Sequence, residues 1–169
     1  MTASGEPAVR LRAATGADRL RIRAWLAAPD AAASWPDRAS AEAEITLALE
    51  SDGAVCRILE AGADAIGYAH AADARLWGAA AAPDPATFAI AYVLAPAADP
   101  DALGAALALL AGEVFATRLA LACSAAVSVR QEVAVRGFEK AGFHWHRIAQ
   151  DPRSGPAWLM LKRRPRPQG

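Results

Sequence analysis

Two hydrophobic periods alternate along this chain, and the switches between them mark its elements. Residues 9–13 read V-R-L-R-A, a period-two strand. Thr15, with Asp18 three residues on, gives a capping-box start, and Leu20, Ile22, Trp25 and Leu26 then carry a helix to Pro29. Residues 34–37 are a loop. A second helix is expected from about Ser40, bearing Ile45, Leu47 and Leu49 and ending at Asp52-Gly53. Residues 54–60 and 65–76 are strand-like on either side of a turn at 61–64. A loop with Pro83 and Pro85 precedes T-F-A-I-A-Y-V-L-A at 87–95, a strong strand signal. Pro96 and Pro100 break the chain. Asp99 or Asp101 can then cap a helix reaching about Ala116, with Leu103, Leu107, Leu110, Val114 and Phe115 inward. Residues 119–123 read as a strand, 130–141 as a helix, and 143–150 and 157–162 as closing strands.

The order β-α-α-β-β-β-α-β-α-β-β predicts an α/β (α+β) fold, a mixed sheet with helices on both faces. A single domain over residues 8–163 is expected, with disordered ends at 1–7 and 164–169. Net charge is zero and the pI about 6.8, so no bulk field draws nucleic acid or an anionic membrane. Alanine fills about a quarter of the chain, which blurs periodicity because alanine suits core and surface alike. Cys56 and Cys123 lie in apolar runs and read as buried free thiols. With no signal-like N-terminus and no apolar run long enough to span a bilayer, the expected location is the cytoplasm.

The segment V-R-G-F-E-K-A-G-F at 135–143 changes the picture. Val135, Phe138 and Ala141 recur at helical spacing, charged residues stand between them, and Gly142 supplies the stop. Phe143 and Trp145 alternate as in a strand, and G-P-A-W-L-M follows at 155–160. This order resembles the GNAT N-acetyltransferases, most of all the aminoglycoside 6′-N-acetyltransferase branch, over residues 8–163. The resemblance implies a mainly antiparallel sheet, acetyl-CoA as co-substrate, and transfer of an acyl group to a small-molecule amine by direct attack in a ternary complex.

It also implies a site. Backbone amides near Val93 and Leu94 would orient the thioester. The loop opening the third helix would hold the pyrophosphate through Leu103, Gly104, Ala105 and Ala106. Gln131, Phe138 and Lys140 would complete the cofactor contacts. Trp35, Tyr68, Trp77 and Tyr92 would wall the acceptor pocket, with His70 and Asp84 as candidate bases. Several matching positions depart from the family. Ala102 stands for a loop glycine, Asp99 and Asp101 bring like charge to the phosphates, and Pro100 deletes an amide. Ala91 replaces an acid, Ala126 another, and Phe138 a tyrosine. His144 and His146 share a strand face without a third ligand, so no metal is expected. Two readings stay open: an acyl-CoA-dependent N-acyltransferase, or a non-catalytic GNAT-like binding or scaffold protein with a decayed coenzyme A site. A homodimer is compatible with either. Neither implies a nucleic-acid or membrane partner.

Overall fold

The computed structural model describes residue 5 and residues 7–76, 86–151 and 155–168. Among these residues seven strands form one sheet: β1 (Val9–Ala13), β2 (Val55–Ala61), β3 (Asp64–Asp73), β4 (Thr87–Leu94), β5 (Ala122–Ser128), β6 (His144–Asp151) and β7 (Gly155–Arg163). Their spatial order is β1-β2-β3-β4-β5-β7-β6. Four helices connect them: α1 (Arg19–Leu26), α2 (Arg38–Glu50), α3 (Pro100–Thr117) and α4 (Glu132–Lys140). All neighbouring strands are antiparallel except β4 and β5. The sheet is thus the mixed, mainly antiparallel one that the element order and the family resemblance imply.

Strand alternation sorts side chains into two cores, because successive residues point to opposite faces. Val55, Leu59, Ala69, Ala71, Ile90 and Tyr92 meet Leu103, Leu107, Leu110, Val114 and Phe138 of α3 and α4. Cys56, Ile58, Tyr68, Ala91 and Val93 meet Ile22, Trp25, Leu26, Trp35 and Ile45 on the α1–α2 side. By length and hydropathy α3 is able to cross a membrane, yet its inner face is core: Leu103, Leu107, Leu110 and Val114 are fully buried.

Some boundaries differ from those expected. β5 starts at Ala122, while Leu119 and Leu121 are 96% and 57% exposed. The strand itself, A-C-S-A-A-V-S, is built of small residues with little pattern, so the two leucines draw the expected strand too early. α2 starts at Arg38 because the Asp37 carboxylate accepts the Ala39 amide at 3.0 Å, and its Leu47 faces solvent. The Thr15–Asp18 capping box is present, but it closes a 3₁₀ turn (Gly16–Asp18) that leads into α1. A second 3₁₀ segment (Pro29–Ala33) precedes the expected loop. Arg164 lies in the segment expected to be a loose tail. Its guanidinium instead donates to the carbonyls of Ala120 (2.8 Å) and Arg118 (2.9 Å) and lies over the Phe115 ring.

Candidate functional site

β4 and β5 pair only at their beginnings, Thr87 with Ala122, Phe88 with Cys123 and Ala89 with Ser124. Past these residues β4 stays with β3 and β5 with β7, so the sheet opens between them. The Thr87 carbonyl accepts from the Ala74 amide, and the Ala95 amide donates to the Ile66 carbonyl. Odd-numbered residues of β4 therefore bond to β3, whereas Tyr92 and Leu94 turn their peptide groups into the gap. Val93, expected to present an amide there, has its peptide group in the ladder opposite Tyr68. β3 approaches closely at Gly67, where a β-carbon would stand 3.0 Å from the Val93 carbonyl oxygen. A cavity of about 780 Å³ fills the opening, lined by residues 28–35, 92–98 and 130–134.

A hydrogen-bonded node crosses this cavity. The Gln131 side-chain oxygen accepts from the Tyr92 hydroxyl at 2.6 Å and from the Ser34 hydroxyl at 2.5 Å. Its amide nitrogen donates to the Asp30 carbonyl at 3.0 Å. The Trp35 indole N–H donates to the Tyr92 carbonyl at 2.9 Å. Residue 131 is the N-cap of α4, so the node fixes the 29–35 segment and β4 to one helix start. Phe138 does not line the cavity. It is fully buried and packs edge-on against Tyr92 and Phe143, supporting the Tyr92 ring from below.

The start of α3 is built differently from the loop that the resemblance implies. Asp99 is its N-cap, and its carboxylate accepts the Ala102 amide at 3.0 Å. The Leu103 amide donates to the Asp99 carbonyl, and Pro100 has no N–H. Asp101 forms an ion pair with Lys140 of α4, which holds the Asp101 carboxyl below the usual carboxylate range. Lys140, expected on the cofactor, is thereby engaged. Gly104 is buried against α4: a β-carbon there would stand 2.6 Å from the Lys140 Cβ. Leu103 and Ala106 are fully buried in the core, which leaves Ala105 as the exposed residue of the expected phosphate set.

His70 is 2% exposed and does not line the cavity. Its Nδ1 lies 2.8 Å from the Tyr68 hydroxyl and its Nε2 lies 3.4 Å from the Glu44 carboxylate. Tyr68 is fully buried, and burial pushes its phenol well above the ordinary value. Burial likewise raises the Cys56 thiol, which interacts with Tyr68. Glu44, His70, Tyr68 and Cys56 thus form a polar chain beneath α2, away from the gap. Trp77 and Asp84 lie outside the described residues.

Of the expected site residues, the fold brings Trp35, Tyr92, Val93, Leu94 and Gln131 together around one cavity. Sequence reasoning missed Ser34 and the Asp30 carbonyl, whose roles depend on contacts with residues about a hundred positions away. It also missed Ala97, which adopts φ 60° at the cavity margin. Left-handed backbone at a non-glycine residue is uncommon and often marks a functional loop.

Known structures share this architecture. The aminoglycoside acetyltransferase AAC(6')-Ib in complex with coenzyme A is 24% identical, with a TM-score of 0.73 over 93% of this chain and 95% of that one. A further structure of the same enzyme, with acetyl-CoA, is 25% identical, with a TM-score of 0.70 over 93% and 94% of the two chains. Spermidine N-acetyltransferase from Vibrio cholerae, in complex with CoA and spermine, is 12% identical, with a TM-score of 0.67 over 92% and 95%. No protein-family model matches the sequence, and no curated protein matches it. A seven-stranded sheet split between β4 and β5, with helices on both faces and these structural neighbours, has the fold of the GNAT N-acetyltransferases.

Proposed function

We propose that this protein is a GNAT-type N-acetyltransferase that takes acetyl-CoA as co-substrate and acylates the amine of a small polar molecule. The observation that carries the reading is the gap between β4 and β5, with its cavity of about 780 Å³, a size suited to a small-molecule site. The neighbours bound to coenzyme A and acetyl-CoA support the same donor here.

The gap fits an extended acyl-pantetheine arm, because the Leu94 peptide group of β4 faces it as a strand edge faces any extended chain, while the Tyr92 carbonyl beside it is taken by the Trp35 indole. The α3 start does not fit a pyrophosphate, since the Asp99 carboxylate already occupies an amide there. When bound, the thioester supplies a carbonyl open to attack and a thiolate leaving group. The chain's own part is positioning. The Leu94 amide faces the gap as a donor for the carbonyl oxygen. Trp35 walls one side, and the Tyr92–Gln131 node keeps the gap at fixed width. His70, joined to Tyr68 and Glu44, acts as a positioning residue that locks β3 beneath α2.

The acceptor side points to a modest amine rather than a polycation. Among the described residues, the charged side chains lining the cavity are Asp30, Arg130 and Glu132, a mixed set without an acidic cluster.

The test is thiol release from acetyl-CoA with a panel of amines that includes aminoglycosides, polyamines and amino-sugars. Amine-dependent release is the expected result. The carboxylates at the α3 start favour a second reading, a non-catalytic GNAT-fold binding protein. Absence both of turnover and of donor binding by calorimetry at millimolar concentration would establish that second reading.

A further inference from the structure

The phosphate end and the thioester end of the donor site disagree. Among the first residues of α3, Pro100 has no N–H, the Ala102 amide is held by the Asp99 carboxylate, and the Leu103 amide by the Asp99 carbonyl. That leaves the Asp101 amide, beside its own carboxylate. A helix start binds phosphate when several amides converge unpaired and no anion stands among them. Here both requirements fail. Of the cations near Asp101, Lys140 is ion-paired with it, and Arg136 is felt by the same carboxylate. Gly104, whose counterpart in a phosphate loop would let the backbone approach the ligand, instead lets α4 approach α3. The residues that line the gap, by contrast, are apolar or neutral over 92–98.

We infer that this site recognises its acyl donor by the pantetheine thioester arm alone, and that the 3′-phospho-ADP half of coenzyme A adds no affinity. The inference rests on the acyltransferase reading above and sharpens it. Acetyl-CoA is then one member of a donor class defined by the acyl-pantetheine thioester, and a shorter thioester lacking the nucleotide serves equally.

Calorimetry and thiol release with acetyl-CoA and with S-acetylpantetheine test it on the intact chain. The expected dissociation constants agree within about threefold, and raised salt weakens the binding of neither, since no favourable phosphate contact is there to screen. Acetyl-CoA binding about tenfold or more tightly than S-acetylpantetheine would overturn the inference while leaving the acyltransferase reading intact. Binding of neither would overturn both. A paired variant sharpens the result. Asp99→Ser keeps a capping oxygen and, combined with Asp101→Asn, removes both carboxylates from the α3 start. It should tighten acetyl-CoA several-fold and leave S-acetylpantetheine unchanged, with thermal unfolding confirming the fold. Equal affinity of variant and wild type for acetyl-CoA would also count against the inference.

Discussion

Gly104 of α3 faces Gly137 of α4 so closely that a β-carbon on Gly104 would stand 3.1 Å from the Gly137 carbonyl oxygen and 2.6 Å from the Lys140 Cβ. The reverse holds too, since a β-carbon on Gly137 would stand 2.6 Å from the Leu103 Cδ2. The two helices meet almost backbone to backbone, and this sets how far α4, and with it Gln131, lies from β4. Gly104→Ala must push the helices apart against carbonyl and Cβ atoms that cannot rotate away. Overpacking of this kind costs roughly 1–3 kcal/mol, which exceeds the helix propensity that alanine gains. Urea denaturation should show a lower midpoint at unchanged slope, and a midpoint equal to or above wild type would refute the packing role.

The Tyr92–Gln131 node makes a graded expectation. Tyr92→Phe removes one hydroxyl donor and leaves Gln131 its bonds to Ser34 and Asp30. Its cost should be about 0.5–1.5 kcal/mol, the net worth of an ordinary hydrogen bond. Gln131→Ala removes the acceptor common to both hydroxyls and should cost more, about 1–3 kcal/mol. Because the node joins the 29–35 segment to β4, Gln131→Ala should also raise the KM for the acyl donor more than it lowers kcat. Equal stability losses in the two variants, or a pure kcat effect, would show that the node does not hold the gap.

How much of this could be seen in the sequence follows from which residues carry local patterns. The capping box at Thr15 and Asp18, the alternating β4 and the inner face of α3 are legible because each lies within one turn or strand. The V-R-G-F-E-K-A-G-F segment at 135–143 points to the fold because it combines a helix stop at Gly142 with a strand signal starting at Phe143. β5 was illegible since A-C-S-A-A-V-S contains four small residues in its first five and its apolar flanks are exposed. The site was half legible. Trp35, Tyr92 and Gln131 could be placed by resemblance, but the Ser34 bond to Gln131 spans ninety-seven positions and leaves no local signature. Gly104 was visible as a glycine, while its reason, the nearness of Lys140, exists only in three dimensions.

Ala97 holds φ 60° where both the main cavity and a neighbouring polar hollow meet. Left-handed backbone costs an L-residue roughly 1–2 kcal/mol, and glycine would avoid that cost while losing about 0.5–1 kcal/mol to unfolded-state freedom. Ala97→Gly should therefore stabilise by about 0.5 kcal/mol, read as a raised urea midpoint. A lowered midpoint would mean that the methyl group contributes packing that outweighs the strain.

The two cysteines are expected to be silent in the native protein. Both are buried and free. Burial pushes the Cys123 thiol up to about 12 and the Cys56 thiol upward as well. At pH 8 the thiolate fraction of Cys123 is then about one in ten thousand, and access is blocked besides. Ellman's reagent should titrate no thiol in the native state and both after unfolding in guanidinium. Rapid labelling of the native protein at pH 8 would show that one of the two strands opens on that timescale.

Asp18 supplies the pH dependence. Arg12 grips its carboxylate at 2.8 and 3.1 Å, and the Thr15 amide donates to it at 2.9 Å. The Arg12 hydrogen bonds, foremost, hold its carboxyl below the ordinary aspartate value against the opposing effect of burial. A group depressed in the folded state binds fewer protons there than when unfolded. Its stabilisation is therefore complete above the unfolded pKa, near 3.9, and disappears as pH falls through the lower folded value. Arg12 is 40% exposed, so solvent screens the pair and its worth is about 1 kcal/mol. Asp18→Asn should lower stability by that amount at pH 7, and the gap between variant and wild type should close as pH falls through the depressed folded-state value, below the ordinary aspartate range. A gap that persists at low pH would assign the loss to the capping geometry at Thr15 instead of the charge.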